Sequence, residues 1–290
     1  MGPPNMPNAW KWRPDEVEAL RVRGIHIGVP KEDCRRGNVW LMSNPHTKAE
    51  YIVKVLMKDS RELEILTWLL SKPELLGNQL AFAIPKYVPR ALDIFAQLAE
   101  CIEILHQNNV AHMDIDKNNF VFAEADISSG PFTIKKGTVY LIDFGATRRF
   151  RSGPDSGVII RDFRVAGGHY YPPEGADEVN PFIYDVYSLG TTLLQLWTSV
   201  QDCQNILDLP WTEVDRFIWD KLMNKDPLQR PRIGDVRQEW RCIVDRCTHI
   251  LEEYEKIHPQ MPQETIPSPL SFSLDRIQLQ LGCGLRGRSF

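Results

Sequence analysis

The sequence contains no run near the ~18 consecutive apolar residues of a membrane-spanning helix, so no membrane partner is expected. It has no basic excess either. With 34 Lys and Arg against 38 Asp and Glu, the net charge is −4, which argues against a nucleic-acid partner. The short run Arg148, Arg149, Arg151 reads as a solvated loop. Cysteine is sparse and scattered, at positions 34, 101, 203, 242, 247 and 283. Cys242 and Cys247 form C-x4-C without a second Cys or His pair, so neither a zinc site nor a disulfide framework is expected. The opening MGPPNMPNAW has no apolar core of a signal peptide, and Met6 stands where a myristoylation signal wants Ser or Thr. Internal repeats are absent. These absences lead to the expectation of a soluble intracellular protein of the cytoplasm or nucleus. With 43% hydrophobic and 25% charged residues among 290, the chain can bury a large core in one domain or two packed lobes.

Pattern along the chain divides it unevenly. Residues 1–14, rich in Pro and Asn, read as a flexible lead. EYIVKVLM is strand-like and sets Lys54 among apolar neighbours. DSRELEILTWLLSK reads as a helix with Ser60 as N-cap, and LAFAI (80–84) as a buried strand. ALDIFAQLAECIEILHQNN puts Leu92, Phe95, Leu98, Ile102 and Leu105 on one helical face and ends in an Asn108–Asn109 cap. Two strand candidates, FVF and TVYLID, flank a polar insert at 123–137. A glycine-bearing loop (146–171) precedes a helix at YDVYSLGTTLLQLWTS, and further helices are expected at roughly 212–223 and 233–257. The layout is α+β: a small, reduced β-rich lobe at about 15–84, a larger helical lobe at about 88–257, and a loosely ordered tail at 258–290.

The chemistry concentrates in VAHMDIDKNNFVF and LIDFGATRRF. Each motif alone is weak, because H-x-D-x4-N arises by chance and Asp-Phe-Gly after a strand is often only a turn. In this order, with strands between them, they share a rationale. Phosphoryl transfer from ATP needs a carboxylate to orient the attacking hydroxyl, oxygen ligands for Mg²⁺ and a cation on the phosphates. Asp114 and Asn119 supply a carboxylate and an amide oxygen from one loop, and Asp143 supplies a second metal ligand.

These residues resemble a divergent eukaryotic-type protein kinase domain. His112 to Asn119 is similar to the catalytic loop H-R-D-L-x-x-x-N, and Asp143-Phe144-Gly145 to D-F-G. Pro172, Pro173 and Glu174 stand for A-P-E. Asp185 to Gly190 resembles the helix that anchors the catalytic loop, and Arg230 in NKDPLQRPR would pair with Glu174. GHYYPPEG with PFIYDVYSLG is similar to kinase-like proteins common in fungi. The resemblance implies a bilobal kinase fold and the cofactors ATP and Mg²⁺. It implies Asp114 as the residue orienting a protein hydroxyl, and Asn119 and Asp143 as metal ligands. Lys54 would hold the nucleotide phosphates and be paired by Glu62, with Glu64 as a substitute. A protein substrate of the Ser/Thr class is favoured over Tyr, because the loop lacks the arginine-bearing tyrosine-kinase form. Oligomeric state stays open.

Four departures qualify that reading. No G-x-G-x-x-G precedes Lys54, since Gly24, Gly28 and Gly37 are too dispersed. Only thirty residues separate Lys54 from Ile84, leaving room for one clear strand where the family has two. Asp116 occupies the position of a lysine that neutralises the γ-phosphate, with Lys117 beside it. Met113 replaces the arginine that commonly holds a phosphorylated loop, so activation is expected without phosphorylation at Thr147, Ser152 or Ser156. Two alternatives follow: a pseudokinase serving as a binding or scaffold module, and a kinase-like phosphotransferase acting on a small molecule.

Overall fold

The computed structural model describes residues 11–30, 39–46, 49–56, 60–70, 88–123, 126–129, 132–161, 163, 171–175, 177–198, 200 and 210–257. The readings placed on 1–10, Gly37, the 80–84 strand and the 258–290 tail lie outside them. The described residues fall into two compact units, divided at Lys58/Asp59.

The first unit opens with α1, Pro14–Val22, a helix that the sequence reading did not place. Its start carries the expected chemistry all the same. Pro14 fits the first helical position, Asp15 and Glu16 fill the first turn, and the Arg13 N–H donates to Glu16 Oε2 at 2.9 Å. Three antiparallel strands follow: β1 His26–Pro30, β2 Val39–Asn44 and β3 Ala49–Lys54, ordered β1-β2-β3. Lys54 ends β3 opposite Val39. Ile25 and Met42 form a small core with Trp12, Leu20, Trp40 and Val53, and the Trp12 and Trp40 rings meet edge-on at 5.6 Å. Two of the scattered glycines have local reasons. Gly24 turns the chain at φ 71°, and Gly28 sits in a β-bulge where a Cβ would lie 2.2 Å from the Leu41 carbonyl oxygen.

The second unit begins with α2, Arg61–Leu70, capped as expected by Ser60, whose Oγ accepts from the Leu63 N–H at 3.2 Å. Helix α3, Val88–Gln107, buries the face formed by Leu92, Phe95, Leu98, Ile102 and Leu105. Each such side chain contributes about 1.5–3 kcal/mol of apolar burial. Asn109 ends α3 in the left-handed region at φ 59°. Long helix α6, Ile233–Ile257, lies against α3. There Trp240 touches Phe95 at 4.5 Å between ring centroids and donates Nε1–H to the Leu92 carbonyl at 3.1 Å.

Short strands carry the chain out of α3. β4 (Val110–Ala111) pairs with β9 (Arg148–Arg149), and β5 (Phe120–Phe122) with β8 (Val139–Leu141). The polar insert is not a plain loop: β6 (Ile127–Ser129) and β7 (Phe132–Ile134) pair within it as a hairpin. Its apolar-polar alternation supports strand pairing despite the polar content. β10 (Ile160–Arg161) then pairs with β11 (Glu178–Val179). Helix α4, Pro181–Thr198, is buried over most of its length, and α5, Trp211–Arg216, continues as a π turn through Leu222. This mixture of a three-stranded sheet and a helical unit agrees with the α+β class read from sequence. Among the described residues no helix is long and apolar enough to cross a membrane.

Glu174 and Arg230 form the expected ion pair. Both guanidinium arms of Arg230 donate to the Glu174 carboxylate, at 2.7 and 2.5 Å; its Nε donates to the Asn224 carbonyl, and its plane stacks on Tyr187. The Arg230 side chain is 0% exposed, so removing its partner strands a buried charge. Glu174→Ala should therefore lower unfolding free energy by about 3–5 kcal/mol in urea denaturation. A loss under about 0.5 kcal/mol would place the pair among ordinary surface ion pairs.

Candidate active site

The loop 112–119 runs between β4 and β5, and its shape is set by a residue outside it. The Asp185 carboxylate, at 0% exposure on α4, accepts from the His112 N–H through Oδ2 at 2.8 Å and from the Met113 N–H through Oδ1 at 2.7 Å. His106, at the end of α3, donates from Nε2 to Asp185 Oδ2 at 3.0 Å. Met113 holds φ 64°, a region costly for a side chain with a Cβ, at about 1–3 kcal/mol. Two charge-assisted hydrogen bonds to adjacent amides offset that cost. The sequence reading gave Asp185 an anchoring role by resemblance and missed His106. The available signal was a polar residue one position beyond the apolar α3 face.

Downstream of the strained turn the candidate residues converge. Asn119 donates Nδ2–H to the Asp114 carbonyl at 2.7 Å and accepts the Ile142 N–H on its own carbonyl at 2.8 Å. That links the loop to the residue before Asp143. Asp143 has φ 59°, and its Oδ1 accepts the Gly145 N–H at 3.2 Å. Glu62 reaches the same place from α2: a Cβ on Gly145 would lie 3.1 Å from Asp143 Oδ1 and 3.6 Å from Glu62 Oε2. Glu62 is buried at 8% exposure, whereas Glu64 faces solvent. The two glutamates thus differ in burial. Lys54 lies in the first unit, at the end of β3.

The donor set suits a hard cation. With Nδ2 of Asn119 committed to Asp114, the amide atom left over is an oxygen, and Asp143 adds a carboxylate. Mg²⁺ takes such oxygen ligands, using one or two protein groups and completing its shell with phosphates and water. Asp116 departs from the expectation that it merely adds charge. Its Oδ1 accepts from the Asn118 N–H at 3.0 Å and from Asn118 Nδ2 at 2.6 Å, capping the turn Lys117–Asn119.

The following segment is partly enclosed. Thr147 is 0% exposed and donates Oγ1–H to the His112 carbonyl at 3.2 Å, so it is no candidate for modification in this fold; Ser152 and Ser156 are exposed. The basic run is also not uniformly solvated. Arg149 stacks over Trp68 at 5.0 Å, and the Nε of Arg148 is buried, while Arg151 is exposed. Met113 is 1% exposed, packed with Ala111, Ile160, Phe163, Val179, Phe182 and Tyr184. An apolar plug thus stands where an arginine would face a phosphate.

His112 is buried against Phe144, with ring centroids 5.3 Å apart. Its Nε2 lies 3.2 Å from the Ile142 carbonyl, which can only accept, so the proton resides on Nε2. Nδ1 has no hydrogen-bond partner among the described residues. Burial lowers its pKa below 6.5, outweighing the raising influence of Asp185, Asp114 and Asp143. The folded protein thus binds fewer protons here than the unfolded chain below pH 6.5. Stability is present above that value and is lost as pH falls toward the depressed folded pKa, at up to about 1.4 kcal/mol per pH unit. In urea unfolding, the stability advantage of wild type over His112→Gln should shrink between about pH 7.5 and pH 5.5. A pH-independent difference would contradict a neutral buried ring.

Comparison with known proteins agrees with this arrangement. Residues 47–253 match the protein kinase domain family. The tyrosine- and threonine-specific cdc2-inhibitory kinase wee-1.3 of Caenorhabditis briggsae is 25% identical over 167 residues, covering 50% of this chain and 22% of that protein. Serine/threonine-protein kinase MPS1 of Encephalitozoon cuniculi is 23% identical over 185 residues, 57% of this chain and 29% of its own length. Serine/threonine-protein kinase PknD of Mycobacterium tuberculosis is 27% identical over 161 residues, 53% and 21%. The chain thus spans less than a third of each of these three proteins. With its ordered loop residues, its Asp143 turn and the match over most of its length, the chain belongs to the protein kinase family.

Proposed function

We propose that this protein transfers the γ-phosphate of ATP, with Mg²⁺, to a protein hydroxyl of the Ser/Thr class. The observation that carries the proposal is the joining of Asp114, Asn119 and Ile142, the residue before Asp143, by direct hydrogen bonds, in a loop held by Asp185. In this reading Asp114 accepts the proton of the attacking hydroxyl and fixes its direction. Asn119 and Asp143 hold the metal through oxygen. Lys54 is the cation for the nucleotide phosphates, and Glu62 keeps the supporting role that the resemblance implies for it. Bound Mg²⁺ would neutralise charge developing on the transferred phosphoryl group. The Ser/Thr class is supported by the names of two of the relatives above.

The second reading, a pseudokinase that acts as a binding module, is favoured by Asp116. Capping with one oxygen does not remove its negative charge from the loop that would meet the γ-phosphate. The two readings part at turnover. Loss of nucleotide binding would also favour the second.

Activation in this proposal does not run through a phosphorylated segment, since Met113 faces apolar side chains and Thr147 is enclosed. The test is transfer of labelled phosphate from Mg·ATP to a generic protein substrate, before and after phosphatase treatment. Wild type should keep its rate within about two-fold after treatment, while Asp114→Asn should lose about 10²–10⁴-fold, the usual contribution of a positioned base. Loss of turnover on dephosphorylation would refute the independence from phosphate. Equal, negligible rates in wild type and Asp114→Asn, with nucleotide still bound, would select the binding module.

A further inference from the structure

Asp116 fits phosphoryl transfer least well of the loop residues, yet its placement is specific. Its backbone is extended, at φ −147° and ψ 155°. Ile115 before it is 2% exposed and joins the main core, while Asp114 and Asp116 on either side are each half-buried. In an extended chain, side chains two residues apart share a face and stand about 7 Å apart. The alternation therefore sets Asp114 and Asp116 on one outer side of the loop, opposite the core that takes Ile115. The Asp116 carboxylate is also held in orientation, since Oδ1 accepts both the N–H and the Nδ2–H of Asn118. Beside it, Asp114 Oδ1 is enclosed and accepts no hydrogen bond, which suits a donor brought by a substrate.

From His112 to Asn119 the loop carries two carboxylates and one lysine, Lys117. An arriving phosphoryl group adds negative charge where negative charge is already in excess, and a cation brought by the substrate removes the conflict. An extended peptide has the same two-residue repeat as the loop. With its hydroxyl at Asp114, the side chain two positions away lies over Asp116. We infer that Asp116 is a specificity-determining residue that selects protein substrates with an Arg or Lys two positions from the acceptor Ser or Thr. This deepens the kinase reading and rests on its placement of the acceptor hydroxyl at Asp114. The substrate cation is attracted to Asp116 and supplies, from the substrate side, the positive charge that the loop lacks at this position. A Glu there adds a third carboxylate to the same face and is rejected. The charge that disfavours bare phosphate thus becomes an element of recognition.

Fluorescence anisotropy of the full chain with labelled peptides tests the assignment. Each peptide is neutral apart from one variable residue, Arg, Ala or Glu, placed two positions before or two after a central serine. In one of the two directions wild type should bind the Arg peptide at least about ten-fold more tightly than the Ala peptide, a difference of ~1.4 kcal/mol, and the Glu peptide most weakly. Asp116→Asn retains an oxygen to accept the Asn118 N–H and so keeps the turn; it should bring the Arg and Ala peptides within about two-fold. Asp116→Lys should reverse the order in favour of Glu. A residue that only caps the turn would leave the selectivity of Asp116→Asn unchanged. Arg selectivity that survives in Asp116→Asn overturns the inference, as does a wild type that binds all the peptides equally or binds none. Because binding is the readout, the two readings fail separately. Selectivity through Asp116 without phosphoryl transfer to the Arg peptide would uphold the recognition and refute the catalytic reading.

Discussion

One carboxylate organises the second unit. Asp185, without solvent contact, takes the amide hydrogens of His112 and Met113 on its two oxygens and a third hydrogen from His106. These bonds hold Met113 at a positive φ that its side chain opposes. The turn so fixed sets where Asp114 projects, and Asn119 then closes on the Asp114 carbonyl. Through the Asn119–Ile142 bond the same constraint reaches Asp143. Placing Asp185 on α4, a helix buried along most of its length, gives the anchor a rigid base.

The segment after Asp143 is fastened differently from its beginning to its end. Thr147 is tied to the His112 carbonyl, β9 is paired to β4, and Phe150 donates its N–H to the Asn109 carbonyl at 2.8 Å. Further on, Ile160 and Phe163 join the cluster around Met113, and Arg161 pairs with Glu178 across β10 and β11. The methionine contributes by burial what an arginine could contribute only through a phosphate. Hydrophobic fastening of this kind is insensitive to ionic strength, unlike charge pairing at the surface.

Legibility in the sequence followed the range of the interactions. The α3 face, the Ser60 cap and the Asn109 end were readable because periodicity and capping are local. Asp114, Asn119 and Asp143 could be proposed as a set because their order carries chemical meaning. What escaped was decided by tertiary neighbours. The enclosure of Thr147 beneath the His112 carbonyl depends on a partner distant in sequence, and the difference in burial between Glu62 and Glu64 depends on packing. The 127–134 hairpin was hidden by polar composition, and α1 by an opening rich in Pro, although Pro14, Asp15 and Glu16 spell a helix start. Asp116 read as an electrostatic fault, and its capping of the next turn depended on an Asx geometry that residue type alone does not fix.

The most direct test is amide hydrogen exchange at His112 and Met113 in wild type and in Asp185→Asn. An asparagine can accept one of the two amides but must turn an N–H₂ toward the other. If Asp185 holds the loop, both amides are among the most protected in wild type, and at least one exchanges more than about ten-fold faster in the variant, while the α3 core amides change less. Unchanged protection at both positions would mean that the loop keeps its shape without the carboxylate, and the account built on Asp185 would be wrong.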